Sequence, residues 1–298
     1  MPIGLVGALL SLGLLGESFG PPTRLDLVAV ALVSAGAAGI VLGMVRASDF
    51  GWTDAQTLAT LVTGVVLMAG FVAWELRAPE PMLPMRLFRN VTFPAANATG
   101  FFMTGALFGA VFLVAQYFQL ALGRSPFETG LRVLPWTTTP LVIAPLAGAL
   151  SDRIGRRPLM VGGMILQGAG LGWFASLANP GVEYWQLAVA MTLAGIGVSM
   201  AMPVAPTAVL TAVAPEDVGK ASGVNSTLGR FGTAFGVAVA TSIFAAYGSL
   251  VTPEAFVTGL RPALTVLACL SMLGALSALV VADRPVGAVQ SEVALAGI

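Results

Sequence analysis

Long stretches with few or no charged residues recur along the chain, and short polar segments separate them. A helix needs about 20 apolar residues to cross the hydrocarbon of a membrane, and most of these stretches have about that length. Because lipid offers no partners for unpaired backbone groups, each stretch is predicted to be a helix. The nine predicted segments are residues 1–16, 26–45, 57–74, 91–123, 133–151, 158–178, 185–213, 221–250 and 262–282. The pattern predicts an all-α integral membrane protein.

The composition indicates that lipid is the main solvent of this chain. Hydrophobic residues make up 57% of it, charged residues only 9%, and the mean hydropathy is +0.90; a soluble domain carries about 25% charged residues. The 14 basic and 14 acidic residues cancel, so no nucleic-acid partner is expected. One cysteine and no histidine exclude disulfide frameworks, histidine-based catalysis and Cys/His metal clusters. We therefore expect neither an enzyme nor a site for a cofactor or metal.

Prolines and charges cluster in residues 75–90 and separate three predicted helices from a block of six. The predicted division is a partial transmembrane helix with a cytoplasmic turn (1–24), two linker transmembrane helices (25–74), a cytoplasmic linker (75–90), a six-helix carboxy-terminal domain (91–282) and a cytoplasmic tail (283–298). The small-residue pair Gly232-x-x-x-Gly236 in the block of six predicts a face on which two helices approach closely.

The distribution of basic residues predicts the orientation of the helices. Cytoplasmic segments of membrane proteins carry an excess of Lys and Arg. With the turn at 151–158 in the cytoplasm, nine basic residues lie inside and four outside. The inner set is Arg24, Arg77, Arg86, Arg89, Arg153, Arg156, Arg157, Lys220 and Arg284, and the outer set is Arg46, Arg124, Arg132 and Arg261.

The turn at 148–158 packs four charges into the six residues from Asp152 to Arg157, between two apolar stretches. An ordinary cytoplasmic turn explains its arginines and its proline, but not an acid between two glycines, because acids contribute little to topology. A carboxylate beside a helix start accepts backbone N–H bonds and favours the positive end of the helix dipole. The turn has the pattern G-x-L-x-D-R-x-G-R-R, set by Gly148, Asp152, Arg153, Gly155, Arg156 and Arg157.

This pattern resembles the signature loop of the major facilitator superfamily of secondary transporters, and it joins the second and third helices of the block of six, as in that superfamily. Further similarity at 116–119, 123–126 and 221–230 resembles the fourteen-helix drug–proton antiporter branch. The resemblance implies the six-helix carboxy-terminal half of a facilitator-type transporter plus about three preceding helices. It also implies a protein of the cell membrane that exports small apolar or cationic compounds in exchange for protons.

By the same resemblance, the six turn residues form a gate latch, which holds two six-helix halves together in one state of the transport cycle. We refer to them as the gate-latch motif. The superfamily lines its central cavity with the first and fourth helices of each half, so Asn97, Thr104 and Gln116 are cavity candidates. Ser and Thr more often bond their own helix backbone or a neighbouring helix.

Arg230 is the only charge deep in an apolar stretch, where an arginine costs about 2.5–3.5 kcal/mol on insertion scales. Two interpretations stay open. Arg230 faces a cavity or a partner, or its long side chain reaches the cytoplasmic interface near Lys220. The block of six has no acid inside its apolar stretches to pair with it. Asp26 and Glu75, at helix ends, are expected to anchor at the interface.

In the resembling family the coupling acids lie in the first half of the protein, which has no counterpart in this chain. We therefore expect an incomplete transporter, in which either Met1 is an internal start codon or the reading frame is incomplete. The alternative is an inactive remnant, or a half-transporter subunit that needs a partner chain. A third hypothesis is that two copies of the six-helix block face one another.

Overall fold

A computed structural model describes residues 26–78, 81 and 83–282. This part of the chain is helical and contains no strand. The helices, in chain order, are α1 (Leu27–Phe50), α2 (Ala55–Glu75), α3 (Thr92–Gln116), α4 (Pro126–Thr137), α5 (Thr139–Ile154), α6 (Arg156–Leu177), α7 (Tyr184–Ala201), α8 (Val204–Thr211), α9 (Val218–Tyr247) and α10 (Pro253–Ala278). One π turn, Tyr117–Ala121, continues α3.

Eight stretches of the described residues are long and apolar enough to cross a membrane. Helices α4 and α5 together make one of them (Pro126–Ile154), and α7 and α8 another (Tyr184–Thr211). The eight stretches correspond to the last eight predicted segments, so the all-α membrane architecture is confirmed. The predicted segment 1–16 and the predicted tail 283–298 lie outside the described residues.

Two predicted helix starts, at residues 133 and 262, are wrong, because the helices begin earlier at Pro126 and Pro253. Each start is fixed by a polar cap that precedes the apolar stretch. The Ser125 hydroxyl accepts the N–H of Glu128 at 3.2 Å, and the Glu128 carboxylate accepts the N–H of Ser125 at 3.1 Å, which closes a capping box. Thr252 accepts the N–H of Ala255 at 3.1 Å. The apolar stretch alone therefore underestimates the length of both helices.

The core lies where α3, α6, α7 and α10 meet, with α9 packed along α3. The α3–α9 contact has no room for side chains at its centre. A Cβ on Gly236 would lie against the carbonyl of Gly105, and a Cβ on Gly109 would lie 3.0 Å from the carbonyl carbon of Gly236. A Cβ on Gly232 would likewise lie against the carbonyl of Phe101. These contacts confirm the close approach predicted from the Gly232-x-x-x-Gly236 pair.

Helices α1 and α2 form a hairpin that packs against α9. The segment that follows α2 is held by three polar contacts. The Glu75 carboxylate accepts the N–H of Leu83 at 2.9 Å, Arg86 forms an ion pair with Asp217 at 2.8 Å, and Lys220 Nζ donates to the carbonyl of Pro81 at 3.2 Å. The contacts of Arg86 and Pro81 thereby join the described residues after α2 to the start of α9.

Candidate functional site

The gate-latch motif forms the break between α5 and α6. Helix α5 ends at Ile154, α6 begins at Arg156, and Gly155 lies between them with φ 88°. That φ belongs to the left-handed region, which glycine adopts without a Cβ penalty. The Gly155 N–H donates to the carbonyl of Ser151 at 3.1 Å and ends α5. Glycine at this position therefore makes the turn as short as one residue.

The charged side chains of the motif point away from the core. Asp152, Arg153 and Arg157 are exposed at the end of the bundle that is predicted to be cytoplasmic. Arg156 is half-buried, and its Nη1 donates to the Thr211 hydroxyl at 2.6 Å. This bond joins the start of α6 to the end of α8. One arginine of the motif is thus tied to its own bundle, while the other charges are accessible.

Helix α5 has one side without neighbours among the described residues. Leu141, Val142 and Leu146 are 78%, 63% and 60% exposed, whereas Ala147 on the opposite side is 3% exposed. A Cβ on Gly148 would meet no heavy atom within 4 Å. We call this surface, formed by Leu141, Val142, Leu146, Gly148 and Leu150, the open face of α5. It ends at the gate-latch motif.

The three cavity candidates on α3 occupy different environments. Asn97 is 2% exposed, and its Nδ2 donates to the carbonyl of Phe93 one turn earlier at 2.9 Å. The Thr104 hydroxyl donates to the carbonyl of Gly229 on α9 at 3.0 Å. Gln116 is half-buried at the end of α3, 12 residues and about 18 Å of helix beyond Thr104. The three side chains therefore do not converge on one point.

Arg230 is exposed on α9, one residue after the carbonyl that Thr104 contacts. Ser222 and Ser226 are also exposed, and spacing by four residues places all three side chains on one side of the helix. We call Ser222, Ser226 and Arg230 the polar stripe of α9. Sequence reasoning missed the two serines, although their regular spacing from Arg230 was a signal for them.

Helix α3 presents aromatic side chains at the level of this stripe and further along the α3–α9 contact. The ring of Phe101 lies 5.4 Å from that of Phe235 on α9, and Phe108 and Phe112 are 47% and 42% exposed. An uncovered aromatic surface next to a polar stripe is the kind of lining that small-molecule sites use, mostly apolar with a few polar groups.

Two acids at helix ends differ in their surroundings. Glu75 is expected at the interface, but it is 3% exposed, and its carboxylate accepts the N–H of Leu83. Asp26 caps α1 and also accepts the indole N–H of Trp74 at 2.7 Å. The pKa of Asp26 is lowered from its ordinary value, chiefly by the backbone N–H of Ala29 and then by Trp74.

The residues that form the bundle are similar to a known protein family. The sequence model described as Major Facilitator Superfamily matches residues 96–296, two thirds of the chain. The chain belongs to the Major Facilitator Superfamily. It is a multi-pass protein of the cell membrane, with eight membrane-crossing stretches in its described part.

Relatives in this superfamily include drug-resistance proteins of bacteria. The chain is 31% identical to the tetracenomycin C resistance and export protein of Streptomyces glaucescens, over 85% of its own length and 47% of the relative's. It is 32% identical to the multidrug resistance protein Stp of Mycobacterium tuberculosis, over 83% and 46%. It is 30% identical to the methylenomycin A resistance protein of Streptomyces coelicolor, over 80% and 50%. The chain spans about half the length of these curated relatives.

Proposed function

We propose that this chain belongs to a drug exporter that works by alternating access, with the six-helix unit 91–282 as one of the two halves. The observation that carries the proposal is the open face of α5, which ends at an exposed gate-latch motif. Alternating access requires two halves that rock about a site near the membrane midplane. An uncovered helix face that leads to exposed opposite charges suits repeated docking and release of a second half.

The details of the α5 surface support docking by another helix. Space around Gly148 allows a second backbone to approach closely, as small residues do at helix contacts in membranes. Asp152 and Arg153 lie one turn further on, where charges of both signs can pair with a partner at the membrane surface. Arg156 is fixed by Thr211 and would keep the turn in a constant position relative to α8.

The substrates we propose are small apolar or cationic compounds. Phe101, Phe108 and Phe112 offer an aromatic surface for apolar groups, and aromatic faces also attract organic cations. Arg230 would repel a cationic substrate. We therefore propose that an acid of the second half pairs with the positive charge of such a substrate. The names of the relatives, which are resistance and export proteins, are in keeping with this substrate class.

We further propose that protons drive the export, as in the fourteen-helix drug–proton antiporter branch. Proton coupling requires an intramembrane acid whose pKa can move toward neutrality. The described helices α3 and α6 to α10 have Glu254 as their only acid, and it lies in the first turn of α10. The coupling acid is therefore assigned to the second half. In this scheme α1 and α2 are the two linker helices, and residues 75–90 are the linker itself.

A half-transporter subunit is the second proposal, and the same open face favours it. The second half then comes from a partner chain or from a second copy of this one. An inactive remnant would leave the open face without any partner.

Dye transport in proteoliposomes with an imposed proton gradient tests these proposals. The 298-residue chain is compared with a version extended upstream in the genomic frame. We expect gradient-driven dye movement by the extended protein only. Movement by the short chain alone would favour the two-copy arrangement, and no movement by either would contradict drug export.

The role of the open face is tested in whichever form transports. Gly148→Leu fills space that no described residue occupies, and we expect it to abolish transport while the protein still folds. The matched control is Ala169→Leu on α6, an exposed small residue between the exposed Ile165 and Trp173. Equal activity in both variants would overturn the docking role of α5.

A further inference from the structure

A groove of about 600 Å³ lies between the α1–α2 hairpin and α9, and no residue of the polar stripe or the gate-latch motif lines it. This volume is within the range of about 300–1,000 Å³ that small-molecule sites occupy. We call it the α9 groove. Its described lining residues are Val33, Met68, Phe71, Val72, Leu83, Met85, Phe88, Lys220, Gly223, Val224, Thr227, Leu228 and Phe231.

The lining is apolar except at one end. Lys220 is the only charged residue among the described residues that line the α9 groove, and Thr227 is the only other polar one. Lys220 Nζ donates to the carbonyl of Pro81 at 3.2 Å. An ammonium has three donors, so this bond leaves capacity for a further acceptor. The nearby Arg86 is already paired with Asp217 at 2.8 Å.

The length of the α9 groove matches one leaflet of a membrane. Lys220 and Phe231 are 11 residues apart on one helix, a distance of about 17 Å at 1.5 Å per residue. Half of the hydrocarbon core, which is about 30 Å thick, is about 15 Å. Lys220 lies near the start of α9, at the end of the bundle that is predicted to be cytoplasmic. The groove thus runs from a headgroup position to about the midplane.

The α9 groove is also reachable from the bilayer. Val72 and Phe88 line it and are 38% and 41% exposed. Gly223 supplies depth, since a Cβ at this position would meet no heavy atom within 4 Å. A flexible hydrocarbon chain can enter from the side and fill this space.

We propose that the α9 groove binds an anionic phospholipid of the cytoplasmic leaflet, with one acyl chain along α9 and the phosphate at Lys220. The apolar lining matches the acyl chain, and the single cation at the headgroup end matches the phosphate. Basic sites between helices on the cytoplasmic side recognise acidic headgroups by the same electrostatics. The lipid bridges the linker hairpin and the six-helix unit, a role separate from that of the polar stripe and the gate-latch motif.

Native mass spectrometry of the full chain tests this site. The protein is purified in detergent, exposed to equimolar phosphatidylglycerol and phosphatidylcholine, and the lipids that it retains are counted. We expect the unmodified chain to retain one more phosphatidylglycerol than Gly223→Leu, because leucine fills the groove. Gly219→Leu is the matched control, since Gly219 lies one turn earlier on α9, has the same open space and does not line the groove.

The headgroup contact is tested with Lys220→Gln. We expect the retained phosphatidylglycerol to fall relative to phosphatidylcholine by about five-fold, the size expected for one basic residue beside an anionic lipid. Lys220→Arg should restore the ratio. Helical circular dichroism and gel filtration check that each variant is folded. Equal lipid retention by Gly219→Leu and Gly223→Leu, or an unchanged headgroup ratio in Lys220→Gln, would overturn the proposal.

Discussion

The indole Nε1 of Trp74, at the end of α2, donates a hydrogen bond of 2.7 Å to Oδ2 of Asp26, the residue that caps the start of α1. The other carboxylate oxygen accepts the N–H groups of Val28 and Ala29, both at 3.0 Å. One side chain thus begins one helix and ties it to the end of the next.

We expect Asp26→Ala to open the first turn of α1, since it removes the acceptor for both backbone N–H groups. Hydrogen exchange of the amides of Val28 and Ala29 measures this opening. Trp74→Phe is the control, because it removes the indole N–H and leaves the cap intact. Equal exchange in Asp26→Ala and the unmodified chain would contradict the assigned cap.

The Asp26–Trp74 contact should also respond to pH. The pKa of Asp26 in the folded protein is lowered from the ordinary value of 3.8. A lowered folded pKa means that the carboxylate stabilises the fold above the unfolded value, and that this contribution is lost as the pH falls through the folded value. We expect the tryptophan fluorescence of the protein to change below pH 3.8. Asp26→Asn should abolish that change, and a transition that persists in this variant would assign it to another group.

The α3–α9 contact predicts a large difference between two glycines of one helix. A Cβ on Gly236 would lie against the carbonyl of Gly105, whereas a Cβ on Gly219 would meet no heavy atom within 4 Å. We expect Gly236→Ala to cost about 1–3 kcal/mol, as overpacking does in tight interiors. Gly219→Ala should change stability by less than about 1 kcal/mol, in the stabilising direction. Thermal unfolding in detergent compares them, and similar midpoints would contradict the close backbone contact.

Tyr117 and Tyr247 provide a second matched pair. Tyr117 is fully buried, and its hydroxyl donates to the carbonyl of Asn179 at 2.7 Å, whereas Tyr247 is 64% exposed. We expect Tyr117→Phe to lower the free energy of unfolding by about 1 kcal/mol, because it leaves the Asn179 carbonyl with only the longer bond from the Val182 N–H, at 3.3 Å. Tyr247→Phe should have no measurable effect. Equal unfolding midpoints for the two variants would show that the Tyr117 hydroxyl contributes nothing.

The bond between Arg156 and Thr211 predicts an effect on transport with little effect on stability. Thr211→Val removes the hydroxyl that accepts from Arg156 at 2.6 Å, and the bond is exposed, so the stability change should stay within about 0.5 kcal/mol. We expect slower dye transport, because one hydrogen bond between the turn and α8 is lost. Thr207→Val, one turn earlier and bonded only within its helix, is the control. Equal loss in both variants would argue against a specific role of the Arg156 bond.

The turn at Gly155 and the membrane-crossing stretches could be predicted from the sequence, because glycine content and apolar length act locally. The starts of α4 and α10 could not, since Ser125 and Thr252 fix them outside the apolar stretches. Glu75 is buried and accepts the N–H of Leu83, a contact that no local pattern encodes.

The cavity candidates show a different limit of sequence reasoning. A polar residue in a membrane helix can face a cavity, bond its own backbone or bond a neighbouring helix, and the sequence is the same in each case. Asn97 bonds its own helix, Thr104 bonds both its own helix and α9, and Arg230 is exposed on the polar stripe. The assignment of these residues to a cavity stays a prediction.

Two neighbouring carbonyls after α6 are held from other helices, which matters for placing epitope tags in topology mapping. Arg261 donates to the carbonyl of Ala178 from Nε at 3.0 Å and from Nη2 at 2.8 Å, and Tyr117 holds the carbonyl of Asn179. A tag inserted between Ala178 and Asn179 would disrupt the hydrogen bonds that Arg261 of α10 and Tyr117, in the turn after α3, donate to this connection. Val251 lies between α9 and α10 and is 86% exposed. A tag inserted there would not break a bond of the type that Arg261 and Tyr117 form. These two connections of the same bundle therefore differ in what they tolerate.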